Sequence, residues 1–268
     1  MRTRHRFAAG RAERSRPAPV RGSHVRSLDL PLPPGRMPLV RRRRPLKRWR
    51  YVGVYAPDLM LCVGDARVAG LPQRWWAVAL PDGSLHEGAG SGPIELQLEE
   101  RDGVEVVSPH GRSYIWTRKQ AGIAVRARVR LPHMSCNIWG PFGFVDDSAG
   151  YHARHTTWRW SAGIGRAVSG EAVAWNLVEG VHDAPTASER TVWVDGEPHE
   201  VGPQPFAPDL SAVGDLRFDA WCTREDHTNR LLLRSDYRQP FGSFSRTLPG
   251  GLELESGHGV MEWHDVRW

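Results

Sequence analysis

Residues 150–180 read GYHARHTTWRWSAGIGRAVSGEAVAWNLVEG. The runs 156–162 and 173–178 are short, rich in aromatic and β-branched residues, and show no 3.6-residue period. They predict two adjacent strands. Gly163, Gly165 and Gly170 lie between them and invite a dinucleotide-loop reading, but that loop needs a helix behind the glycines to present its N-terminus to a pyrophosphate. Strand text follows instead, so the expected role is a turn joining two strands. Trp158 and Trp160 share one face of the first strand; Trp175 leads the second and precedes Asn176.

The same kind of text extends in both directions. Residues 49–56, 59–63, 75–80, 94–99, 104–108, 190–195, 198–201, 216–222, 230–234, 243–248, 252–255 and 259–268 read as strands. Turn residues punctuate them: Pro57-Asp58, Pro81-Asp82-Gly83, Asp102-Gly103, Asp195-Gly196 and Pro249-Gly250-Gly251. Residues 114–118 and 123–131 read as another pair, turning at Gln120-Ala121-Gly122. In the second of these Ile123, Val125, Ala127, Val129 and Leu131 fall on one face and Arg126, Arg128 and Arg130 on the other, a solvent-facing row. Residues 132–143 break the pattern as a loop between two halves, and 203–208 read as a linker. The expected fold is all-β, an antiparallel barrel or sandwich over residues 46–268, dividing into halves 46–140 and 141–268.

Charge is distributed unevenly. The chain is +6 overall, but residues 1–50 hold fifteen Arg and one Lys against Glu13 and Asp29, so the remainder is −8. The folded body therefore gives no reason to expect nucleic acid. The Arg-, Pro-, Gly- and Ser-rich text of residues 1–45 predicts a disordered basic tail. Cys62, Cys136 and Cys222 are scattered, without a Cys-x-x-Cys, which argues against a disulfide framework and a cysteine zinc site and suits a cytoplasmic location. No apolar run approaches the ~18 residues of a membrane span, and no apolar segment follows the basic N-terminus as a secretory signal would require. His152 and His155 would point to opposite sides of a strand, so no metal is expected, and no cofactor motif is present.

Twelve Trp exceed seven Phe and five Tyr. Indoles line cavities as readily as cores, and a buried indole N–H needs an acceptor. Trp158, Trp160 and Trp175, with Asn176, Glu179 and His155, are the candidate ligand-binding residues. A carboxyl in a dry β interior keeps its proton at neutral pH and can serve as a general acid. Glu179, Glu189 and Glu262 are the candidates; Glu262 or Glu189 is the expected acid, with His264, which shares a strand face with Glu262, or Asn176 as the orienting neighbour.

KRWRYVGV at 47–54, LCVG at 61–64, TWRWS at 157–161, Asn176-Leu177, Val194-Asp195-Gly196, Gly242-Ser243-Phe244 and GVMEWH at 259–264 together resemble an uncharacterised bacterial family, domain of unknown function 2804. The resemblance spans about residues 36–268 and implies a lipocalin-like β architecture. More distantly it is similar to the carotenoid hydratase and tocopherol cyclase group, with paired barrel-like domains and lipophilic substrates. It brings no catalytic residues with it, and the basic tail and Ser245-Arg246 depart from the family pattern. The expected function is binding of an apolar or amphipathic small molecule (isoprenoid, acyl or steroid-like) in a Trp-lined cavity, with acid-promoted hydration or cyclisation if the protein is catalytic. A non-catalytic lipid carrier and a carbohydrate-active β-sandwich are the alternatives.

Overall fold

The computed structural model describes residues 18–68, 70–230 and 233–268. The tail reading of residues 1–17 lies outside these, as do residues 231 and 232 in the run read as a strand at 230–234. Two antiparallel sheets face each other. In the first the strand order is Val20–Arg21, Val104–His110, Ser113–Leu131, Met134–Gly150, Lys47–Ala56, Leu59–Val68, Leu71–Ala79, Leu85–Ala89; Ile94–Leu98 adds to the far half of Ser113–Leu131. The second runs Glu197–Glu200, Thr191–Val194, Ala172–Glu179, His155–Ala167, Glu253–Arg267, Leu233–Thr247, Leu216–Arg230, Ala212–Val213. Among the described residues the edge strands of neither sheet pair with each other, so the architecture is a sandwich and not a closed barrel.

Strand alternation explains the layering. Tyr55, Met60 and Phe144 of the first sheet meet Trp160, Phe241 and Val260 of the second in a shared core. The opposite face of the first sheet is covered by its own chain, where Val125, Ala127 and Val129 pack on Val54, Leu61 and Val78. The cause is local. Ser113–Leu131 is one long strand whose register slips between Ala121 and Ile123 and again between Ile123 and Val125. Gly122 sits there at φ +65°. A bulge adds a residue to one side of the ladder and bends the strand, so the far half folds back over the sheet. The Gly122 text, expected to turn the chain, bends it instead. Residues 132–143, expected as a loop, mostly belong to the returning strand Met134–Gly150. The chain therefore changes sheets in the four residues 151–154 and not near residue 140. Arg126, Arg128 and Arg130 do face solvent, with Arg130 paired to Glu95 at 2.8 Å.

The second sheet has a further core, where Trp175, Phe218, Phe244 and Met261 are closed over by Phe206 and Leu210. Those last two come from the segment whose start reads as a linker. Gly163 and Gly165 lie within the strand His155–Ala167, and only Gly170, at φ +105°, sits in the turn. A Cβ on Gly163 would lie 2.1 Å from the Trp175 ring, so that position must be bare to admit the indole. Residues 18–45 are docked rather than disordered. Val25, Leu32 and Met37 are buried with Tyr114, Trp116 and Tyr151, and Arg21 Nη2 donates to Thr191 Oγ1 at 3.0 Å in the second sheet. A handful of apolar residues without a period holds them, which composition alone does not reveal.

Candidate functional site

Where the two sheets part, a cavity of about 190 Å³ opens between them. Its walls come from both sheets: Trp49 and Tyr51 from one side, Trp158, Trp160, Glu262 and His264 from the other. Register fixes the pairing. Trp160 lies opposite Glu262 and Trp158 opposite His264 across the His155–Ala167/Glu253–Arg267 ladder, and Tyr237 lies opposite His264 on the next strand. With a two-residue period, Glu262, His264 and Val266 all line the cavity.

Glu262 is held from three directions. Trp158 Nε1 donates to its Oε1 at 2.8 Å, and Tyr237 Oη and Gln239 Nε2 donate to its Oε2 at 3.0 Å each. Burial pushes the carboxyl up to about 7, although the hydrogen bonds from Trp158 and Tyr237 pull it down. His264 does not bond Glu262. Its ring packs 4.4 Å from Trp158 and 5.1 Å from Tyr237, the two residues that orient the acid, and its Nε2 pairs with Ser235 Oγ at 2.8 Å. Burial lowers His264 to about 4, so it is neutral at pH 7. Trp49 stacks parallel to Trp158 at 6.4 Å and places a second indole face beside the acid.

A second polar group shares the cavity. Lys119 lies opposite Asp146 in the ladder; its Nζ is 2.6 Å from Asp146 Oδ1 and 3.4 Å from Glu189 Oε2. All three residues are buried. Desolvation alone would lower Lys119, but the two carboxylates outweigh it and hold the ammonium charged. Burial raises both Asp146 and Glu189, against the pull of Lys119. One cation for two buried carboxyls favours a proton on one of them, because a second buried anion without a counter-ion is costly. Trp160 joins the two groups: its indole Nε1 donates to Asn176 Oδ1 at 2.7 Å, and Asn176 Nδ2 donates to the Glu189 carbonyl at 2.9 Å. His182 and His152 complete this wall. The His182 Nδ1 pairs with Ser108 Oγ at 2.8 Å. His182 also holds φ +49°, a left-handed conformation that costs a non-glycine residue about 1–2 kcal/mol.

The structure thus brings together Glu262, His264, Glu189, Trp158 and Trp160, with Asn176 directly behind Trp160. Three other candidates lie elsewhere. Trp175 is sealed in the second core, its Nε1 donating to Ser161 Oγ at 3.1 Å. Glu179 pairs with Arg159 at 3.1 Å outside the cavity, and exposed His155 pairs with Asp265 at 2.9 Å. Lys119, Asp146, Tyr237 and Gln239 escape the sequence reading. Lys119 sits among Thr117, Arg118 and Gln120, just before the expected turn at Gln120-Ala121-Gly122, so nothing in the sequence marks it as buried.

In its course the chain is similar to several solved structures. These include CghA with Sch210972 (11% identity, 93% of this chain and 98% of that one, TM-score 0.41). A putative AttH from Nitrosomonas europaea gives 10%, 88%, 98% and 0.41, and kievitone hydratase from Nectria haematococca gives 6%, 83%, 88% and 0.40. None of the curated proteins matches in sequence. The family described as domain of unknown function (DUF2804) matches residues 84–268. That match takes in the whole second sheet together with Lys119, Asp146, Glu189, Glu262 and His264, while the stretches at 47–54 and 61–64 precede it. The chain therefore belongs to the DUF2804 family.

Proposed function

We propose that the protein binds a small apolar or amphipathic molecule, of isoprenoid, acyl or steroid-like class, in the cavity between its sheets, and that Glu262 acts on it as a general acid. The observation that carries this reading is a buried carboxyl, oriented by Trp158, Tyr237 and Gln239 and raised to about 7, facing a cavity walled by indoles. A group with a pKa near the working pH is both protonated often enough and acidic enough to transfer its proton. Protonation of an alkene carbon would leave a cation next to the faces of Trp158 and Trp49, where the ring quadrupole stabilises positive charge. Capture by water, which then returns a proton to the Glu262 carboxylate, gives hydration; capture by an internal hydroxyl or alkene, with loss of a proton to the same carboxylate, gives cyclisation.

Size narrows the choice. About 190 Å³ exceeds the ~150 Å³ that admits a benzene ring and falls short of the ~300–1,000 Å³ of drug-sized sites. Compact ligands are favoured over a whole steroid. The carbohydrate alternative asks for tryptophan faces along an open groove with two flanking carboxylates; Trp160 is only 5% exposed, which supports the lipophilic reading.

Native mass spectrometry of freshly purified protein, followed by organic extraction, tests the proposal. A retained small lipophile is the expected result, and sugar binding with no lipophile retained would overturn it. Glu262→Gln separates enzyme from carrier: loss of turnover on the extracted compound with binding retained marks an acid catalyst, whereas unchanged properties mark a binding protein.

A further inference from the structure

Two buried polar atoms on the Lys119 wall have no hydrogen-bond partner among the described residues, His152 Nδ1 and His182 Nε2; beside them Glu189 Oε2 has the 3.4 Å ion pair with Lys119 Nζ. The two histidines are 3% and 7% exposed, and both line the cavity with Glu189. A buried polar group left unpaired is destabilising, and most such groups in folded proteins are paired. Two of them facing one cavity mark a place where a ligand supplies the partners.

The chemistry of the wall says what kind of ligand group fits. The histidines are neutral: burial, helped by Lys47 and His110, holds His152 well below its ordinary value, and burial with Lys119 lowers His182 to about 3. Lys119 is already shared between two carboxyls. Arg224, the other buried cation on the cavity wall, is paired with Glu87 at 2.9 Å and lies over the Tyr237 ring. An incoming carboxylate or phosphate would be repelled by the Asp146–Glu189 pair, which keeps at least one negative charge; among the described residues the cavity-lining cation without an ion-pair partner is Arg48, which is exposed. A neutral imidazole offers one donor and one acceptor, and a carboxyl chiefly accepts, so the matching group must both donate and accept. We infer that this wall is the subsite for a hydroxyl of the ligand, which makes the ligand class a compact lipophilic alcohol rather than an acid or a phosphate ester. This rests on the reading of the cavity as a lipophile site.

The test uses four ten-carbon probes on the full-length protein at pH 7.5, followed by tryptophan fluorescence: geraniol, geranic acid, geranyl phosphate and the hydrocarbon myrcene. Geraniol is expected to bind at least about tenfold more tightly than each of the others, the value of one good buried hydrogen bond. In His182→Phe the geraniol affinity should fall by about the same factor while myrcene is unaffected, a split that general damage to the fold would not produce. Equal binding of geraniol and myrcene, or tighter binding of the acid or phosphate, overturns the hydroxyl subsite and leaves the lipophile reading standing. Failure of all four probes, myrcene included, overturns both. The wild-type series decides alone if the variant does not fold.

Discussion

One hairpin supplies indoles to two different interiors. Trp158 and Trp160, on His155–Ala167, face the cavity between the sheets, where their N–H groups orient a carboxylate and an amide. Trp175, on the neighbouring strand, is packed into a solid core, its ring edge-on to Phe244 at 4.9 Å. What stands opposite each ring makes the difference. Bare backbone at Gly163 and Gly257 accepts the Trp175 ring, so dispersion contacts surround it. Opposite Trp158 and Trp160 stand Glu262, His264 and Asn176, polar groups that need space and partners. In this hairpin glycines face the ring that packs into the core, and polar groups face the rings that line the cavity.

That contrast can be broken by mutation. Trp175→Ala should cost about 3–5 kcal/mol in urea unfolding, as for large aromatics removed from packed interiors, and Trp158→Ala well under half as much, because one side of Trp158 already faces a void. Equal costs would erase the distinction. Next in size is the pH dependence of Glu262. Its native carboxyl is raised from 4.5 to about 7, so the native state holds the proton more tightly than the unfolded chain. That contribution is complete below the unfolded value and is lost as pH rises through about 7. Glutamine does not titrate, so relative to wild type Glu262→Gln should gain about 3 kcal/mol of stability between pH 4 and pH 8; a flat difference would contradict the burial argument.

Smaller again is the N-terminal segment. Deleting residues 1–36 removes Val25 and Leu32 from beneath Trp116 and should cost about 2 kcal/mol net, the lost burial being partly offset by the ordering entropy of the segment, against no change for a tail that merely trails in solvent. Smallest are Glu179→Gln and His155→Ala, outside the cavity, each expected within about 0.5 kcal/mol of wild type and without effect on ligand affinity.

Period-two alternation made the all-β class readable, and it put Glu262 and His264 on one face of the last strand, where both line the cavity. It did not separate Trp175 from Trp158, because side-chain pattern along a strand says which residues share a face but not what covers that face. Gly122 shows a second limit. A glycine between apolar runs marks a turn and a bulge equally well, and choosing the turn split Ser113–Leu131 in two and hid the Lys119–Asp146 pair, which only the ladder register reveals. The docking of residues 18–45 is not legible in the sequence, because a few isolated apolar side chains carry no period at all.

The property on which the proposed chemistry depends is that Glu262 holds its proton near neutrality in the cavity. Carbon-13 NMR titration of the glutamate carboxyls, with the Glu262 signal assigned by its loss in Glu262→Gln, tests it most directly. A midpoint near 7 is the expected result; a midpoint in the ordinary carboxylate range near 4.3 would contradict it.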